Sequence, residues 1–328
     1  MSVKLSSSLP NGVGTFTHPA KPRSAKPRSA KPQSATPQSA TPQSATPQSA
    51  MPQSAMPQSA MPQSVVQIDF LNVKSNDFRR SDENKLKKTL VLYVFHEYNN
   101  RVEQFLKYCM FEDTNVDFMI ISNNINFKIT NLPANATFLA RENIGYDFGG
   151  WSDAILMNDR YKNYDYFIFV NSSVIGPFMN SDGKWTDVYI NGLQKNNIKL
   201  FGSTINTINE PDKLAHVQSY IFSMDKLTLE YLIKCEIFSM TNYAKTLEDA
   251  VWTKEVHMSR KIIENNWNIG SLMSYYNNID FTFKTKNPED YDVIFLNDIM
   301  NFNDYKNKIW NLHELVFIKG NRGLPIII

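Results

Sequence analysis

Apolar residues fall into two recurring patterns along this chain, and both begin only near residue 89. Residues 89–95, TLVLYVF, form an unbroken apolar run of strand length, and 116–121, 136–140, 164–170, 198–202 and 217–222 repeat that pattern. Between the runs, apolar residues recur at helical spacing. Val102, Phe105, Leu106, Cys109 and Met110 fit i, i+3, i+4, i+7, i+8, and Trp151, Ala154 and Ile155 start a second helix. Trp185 and Val188 suggest another, Asp225 caps a helix running through Cys235, and 248–266 reads as a longer one whose Glu255, Ser259 and Ile262 share a face. Strand alternating with helix, with polar residues at each strand's carboxyl end, predicts an α/β protein with a mostly parallel, Rossmann-type sheet flanked by helices. The tail, 280–295 and 309–322, alternates short apolar runs with polar loops and carries Lys319 and Arg322.

The stretch from 138 to 177 concentrates the polar signal. Arg141, Glu142, Asn143, Gly145, Asp147, Gly149 and Gly150 crowd what reads as one loop, where glycines let backbone approach a ligand closely. The following strand stops at Asn171-Ser172-Ser173, before a Gly176-Pro177 turn. Ligands of open α/β sheets sit at the carboxyl ends of strands, so a site is expected here.

Ahead of the first strand the pattern disappears. Residues 21–65 are nine copies of a pentapeptide, KPRSA, KPQSA, TPQSA or MPQSA with a final valine. A proline every fifth residue blocks helix and sheet, and Ser, Gln and Ala bury little. Residues 1–66 are therefore read as a disordered repeat arm, either a tether, a docking arm or a repeat without a partner, and 67–328 as one folded domain. The arm holds six basic residues and no acid, leaving 28 basic against 32 acidic residues, a net of −4, over 67–328. That balance disfavours nucleic acid as a partner of the domain. Two cysteines, Cys109 and Cys235, both within apolar helical patterns, argue against a disulfide framework. No apolar window reaches spanning length and the amino end lacks the apolar core of a signal peptide, so no transmembrane segment and a cytoplasmic location are expected.

Four segments carry a resemblance. RENIGYDFGGW (141–151), FVNSSVIGPF (169–178), HVQSYIF (216–222) and EVHMSRKIIENNWNIG (255–270) resemble, in order, the rhamnan synthesis F family of glycosyltransferases, which is similar to the GT-A nucleotide-sugar transferases. The resemblance covers roughly 90–320. It implies a GT-A-like sheet and transfer of a sugar, such as the deoxyhexose rhamnose, from a nucleotide-diphosphate donor to a glycan or glycoprotein hydroxyl. Such families occur in bacterial polysaccharide loci and in large DNA viruses. The Asn, Ile, Lys and Tyr bias here suits an AT-rich genome, so a viral source, with the protein in host cytoplasm or virion, is one expectation.

Transfer to a hydroxyl needs a carboxylate to take the acceptor proton and positive charge for the departing diphosphate. The resemblance places the carboxylate at Glu255, with the Glu248-Asp249 pair as rival; a solvated helix glutamate is the plain alternative. His96, Tyr98 and Asn99 after the first strand, and Ser122 and Asn123 after the second, stand where the nucleotide would lie, unless they are ordinary loop polarity. Arg141, Asn143 and Asp147 are the sharper donor-binding candidates, since an arginine can grip a diphosphate in bidentate fashion. Asn171, Ser172 and Ser173, with His216 and Ser219, complete the set. GT-A enzymes usually carry Asp-x-Asp at the strand end to bridge Mg²⁺ or Mn²⁺ to the diphosphate. This chain has no carboxylate there until Asp182. Either no divalent metal is used, or Asp147 and His313 supply ligands from elsewhere. A catalytically silent glycan- or nucleotide-sugar-binding protein on the same fold is the competing reading. No G-x-G-x-x-G follows the first strand and no G-x-x-x-x-G-K-[ST] occurs, which removes the main support for dehydrogenases and P-loop enzymes.

Overall fold

The computed structural model describes residues 87–321, except 181, 196, 208–210, 291–303, 306–307 and 310. The repeat arm and the 1–66 boundary lie outside the described residues.

Each long apolar run becomes a strand: β1 (Thr89–Phe95), β2 (Val116–Ser122), β3 (Ala136–Ala140) and β4 (Tyr166–Asn171). A short β5 (Val174–Ile175) follows, then β6 (Ile198–Gly202), β7 (Ile205–Asn206), β8 (His216–Val217), β9 (Ile221–Asp225) and β10 (Asn268–Ser271). The expected strand over 217–222 is thus divided, because Gln218 leaves the strand path and buries its side chain against Thr204, whose hydroxyl lies 2.7 Å away. Late in the chain, β11 (Asp304–Tyr305) pairs with β12 (Lys308–Ile309), and β13 (Ile318–Lys319) pairs antiparallel with β5.

The helices are α1 (Asn100–Tyr108), α2 (Tyr146–Leu156), α3 (Trp185–Gly192), the short α4 (Pro211–Leu214), α5 (Lys226–Lys234), α6 (Leu247–Asp249), α7 (His257–Glu264) and the short α8 (Leu312–Leu315). A π-helical segment, Ala250–Val256, joins α6 to α7, so the expected long helix is one run with a wide turn inside it. Asn99 caps α1 through its side-chain oxygen and Asp225 caps α5.

Seven strands form the main sheet in the order β10-β6-β9-β4-β1-β2-β3. All are mutually parallel except β9, which runs antiparallel between β4 and β6. The protein is therefore of the mostly parallel α/β class that the residue pattern predicts. Strand β1 is buried on both faces because each face has a helical layer: Leu90, Leu92 and Val94 join Trp151, Phe169, Phe222 and Phe238 on one side, and Val91, Tyr93 and Phe95 join Phe105, Trp185 and Phe317 on the other. Phe169 stacks between Phe222 at 4.8 Å and Phe238 at 5.0 Å. The indole N–H groups stay satisfied in these layers, Trp151 donating to Leu92 O and Trp185 to Cys109 O. Cys109 and Cys235 are free thiols. No helix among the described residues is long and apolar enough to cross a membrane.

Candidate active site

The chain winds from β1 outward to β3 and then returns to the other side of β1 to enter β4. The carboxyl ends of β1 and β4 therefore flank a topological switch point, the place where such sheets leave a crevice. His96–Asn99, Ser122-Asn123, Arg141 and Asn171–Ser173 all follow strands that end at this edge.

Arg141 is buried, and its guanidinium is committed inside the protein. Nε donates to Asp153 at 2.6 Å, Nη1 to the Asn123 side-chain oxygen at 2.8 Å, and Nη2 to Ile144 O at 2.8 Å, while the ring of Tyr243 lies 5.9 Å from its centre. Asn123 is buried with it, donating to Tyr146 O and accepting the His96 ring at its backbone carbonyl. These two residues brace the loop that carries Asn143 and leads into Asp147. The Ser122 hydroxyl closes the turn onto Asn124, and Asn99 is spent on capping α1. Tyr98 is half exposed and stacked on Phe127 at 5.5 Å. Asn143 is exposed on the loop.

The glycines do other work than expected. Gly145 takes a left-handed φ of 76° to start α2, so Asp147, Gly149 and Gly150 belong to the first turns of that helix rather than to the loop. A Cβ at Gly149 would come within 2.0 Å of Ile144 O, and one at Gly150 within 2.8 Å of Val94. The close approach they permit is of helix to sheet and to the Arg141 bridge.

Asp147 projects from this helix start to accept the Asn171 amide at 3.0 Å. Burial, and after it the charge of Glu255, raise its pKa from 3.8 to about 6 against the opposing Asn171 amide and Lys319 ammonium. Asn171 turns its side-chain oxygen to the Ser173 N–H and hydroxyl, at 3.0 and 2.6 Å. Its backbone N–H donates to Tyr220 O, and the preceding residue, Ser219, donates its N–H to Glu255 at 2.8 Å. Hydrogen bonds thus lead from Asp147 through Asn171 to the turn before β9 that holds Glu255. Glu255 lies in the π-helical turn, a distortion that often marks functional positions, and Ser259 on the same face holds Val217 N at 3.0 Å. Beneath it, buried Lys254 donates to Glu236 O and Asn242 O, and burial lowers its pKa. This anchors the loop that brings Tyr243 to Arg141.

Glu248 and Asp249 stand apart. Glu248 is exposed and Asp249 partly buried in α6, where Asp249 accepts Lys245 N while its own N–H is capped by Thr246. Seven residues separate Glu248 from Glu255, about 10 Å along a helix. His216 is buried, its ring nitrogen on Leu214 O at 2.7 Å. His313 is exposed on α8, edge-on to Phe178 at 6.5 Å.

A divalent cation finds a poor donor set here. Asp147 and Glu255 each give one oxygen to an N–H donor, Asn171 keeps its amide oxygen on Ser173, and Lys319 stands in the field of Asp147. Among the described residues, no group of three or more His, Cys, Asp or Glu side chains is placed to hold a metal ion. The described residues at this edge form no set of three carboxylate or imidazole ligands for Mg²⁺ or Mn²⁺.

Three residues at this edge carry no signal in the motifs. Tyr243 arrives through a loop, Lys319 through β13, and Arg101 from the first turn of α1. A basic residue at a helix amino terminus opposes the helix dipole, which marks Arg101 as a position to question.

Residues 119–300 match the family model described as rhamnan synthesis protein F, and the chain belongs to that family. No curated protein matches it. The family suggests a glycosyltransferase-type enzyme of polysaccharide biosynthesis, rhamnosyltransferase-like, with a nucleotide-sugar donor and a glycan acceptor.

Proposed function

We propose that the chain is a GT-A-like glycosyltransferase that moves a deoxyhexose such as rhamnose from a nucleotide diphosphate to a glycan or glycoprotein hydroxyl with inversion, Glu255 acting as general base. One observation carries this reading: Glu255 is oriented by Ser219 N–H and shares an electrostatic field with Asp147 at the carboxyl edge of the switch-point strands. In a single displacement, the Glu255 carboxylate accepts the proton of the acceptor hydroxyl as its oxygen bonds to the anomeric carbon. The bond from that carbon to the diphosphate breaks, and the electron pair leaves with the diphosphate. Asp147 and Asn171 position the donor, and Arg141 and Asn123 hold the loop that leads into the helix start bearing Asp147.

The test is transfer of label from a panel of nucleotide sugars, dTDP-, UDP- and GDP-linked, to a rhamnose-containing oligosaccharide, beside thermal shifts with each donor. Stabilisation follows ln(1 + [L]/Kd), so the donor that binds identifies itself. Transfer that Glu255→Gln abolishes supports the reading. The strand end without an acidic pair favours a second reading, a silent nucleotide-sugar-binding protein, which binding without transfer would select.

A further inference from the structure

The geometry points to an anion site formed by Arg101 and Lys319 around Ser172-Ser173, which receives the diphosphate of the donor and supplies the positive charge of a divalent cation. This rests on the reading that the edge binds a nucleotide sugar, and it assigns the diphosphate to two residues that the sequence motifs do not include.

Three contacts bring the segments that carry the two cations together. Arg101 donates Nε to Ser172 O at 3.0 Å, which fixes its guanidinium against the end of β4. Antiparallel pairing of β13 with β5 sets Lys319 opposite Val174, and Gly320 N donates to Ser173 O at 2.6 Å. Gly320 in turn sits against Arg101: a Cβ there would be 3.2 Å from Arg101 Cδ. Residues more than two hundred positions apart thus meet at the two residues after Asn171.

Their charges are available. The Arg101 Nη groups and the Lys319 ammonium have no hydrogen-bond or ion-pair partner among the described residues, whereas Arg141, Lys254 and Lys199 are all engaged. Both side chains are only partly buried, so a ligand can reach them. Placing Arg101 in the first turn of α1, capped by Asn99, opposes the helix dipole and is accounted for once an anion lies beside it. A guanidinium pairs with a diphosphate in bidentate fashion while an ammonium acts as a point charge, a combination suited to two linked phosphates. Charge built up on the leaving diphosphate is then stabilised by fixed cations, with no metal carboxylates required.

Pyrophosphate and UDP serve as probes on the full chain, titrated by calorimetry with EDTA and with Mn²⁺, using the parent protein, Lys319→Met, Lys319→Arg, Arg101→Gln and, as a control at the far end of α1, Lys107→Ala. The expected result is pyrophosphate binding in EDTA that weakens roughly ten- to hundredfold in Lys319→Met and Arg101→Gln, recovers in Lys319→Arg, and is unchanged in Lys107→Ala. Melting curves confirm that the variants are folded, and Lys319→Arg keeps the test valid should Lys319→Met not be. Binding that needs Mn²⁺, or that is the same in all folded variants, overturns the inference. The two readings fail separately. Pyrophosphate bound through Arg101 and Lys319 without sugar transfer leaves the anion site standing and removes the transferase, while transfer unaffected by Lys319→Met and lost in EDTA does the reverse.

Discussion

Glu255 accepts the backbone N–H of Ser219 at 2.8 Å, a contact that joins the π-helical turn to the chain entering β9. Ser219 is followed by Tyr220, whose carbonyl accepts Asn171 N, so the carboxylate is registered against the end of β4 through backbone alone. A carboxylate held by one oxygen keeps the other for a ligand. Removing its charge should therefore disturb chemistry more than structure.

Glu255→Gln is expected to lower transfer about 10²–10⁴-fold while donor affinity stays near normal, because a base acts on the acceptor proton in the transition state. Glu248→Gln and Asp249→Asn lie about two helical turns away and should change the rate little. Single-turnover transfer and donor titration on the same three variants decide it, and a near-normal Glu255→Gln rate removes the base assignment.

Arg141→Lys should destabilise the fold by about 3 kcal/mol, since it breaks a buried pair with Asp153 and abandons Asn123 and Ile144 O. Urea unfolding measures it. A lysine variant with unchanged stability and weakened donor binding would show that the guanidinium serves the ligand instead.

Asp147→Asn is expected to change the pH dependence of stability. The folded carboxyl holds its proton more tightly than the unfolded chain does, with a pKa of about 6 against 3.8. Its ionisation therefore costs stability as pH rises through that window, and the full cost persists above it. The asparagine variant should gain about 1–3 kcal/mol relative to the parent between pH 4 and pH 7, toward the lower end because the group is partly exposed. Unfolding at the two pH values tests the sign, and a gain that shrinks with pH contradicts it.

Gly149→Ala should cost about 1–3 kcal/mol, since the new methyl would meet Ile144 O, and it should loosen the Arg141 bridge with it. A melting temperature equal to the parent's would mean that α2 can shift away from the sheet.

The class of fold was legible because burial on both faces writes an unbroken apolar run, and β1 and β3 begin and end where their runs do. Helix α2 was legible only from Trp151 onward. Gly149 and Gly150 read as loop because their helical role depends on contact with Val94 and Ile144, which no local pattern records. Arg141 announced itself by its charge among glycines, yet charge alone does not distinguish a group that meets a ligand from one that ties down a loop. The Glu255 and Ser259 spacing did foretell a shared face, which grips residues 217–219. Lys319 reads only as a basic residue of the tail, because its place is set by pairing with a two-residue strand about 145 positions earlier.

That pairing also orders events during synthesis. With β13 laid on β5, the ribosome must release residues 318–320 before the clasp around Ser172-Ser173 can close, long after β1 to β4 have left the exit tunnel. A nascent chain can thus hold a finished sheet core and still lack one wall of its crevice, so the capacity to hold the anion arrives late, as a step separate from the folding of the strands.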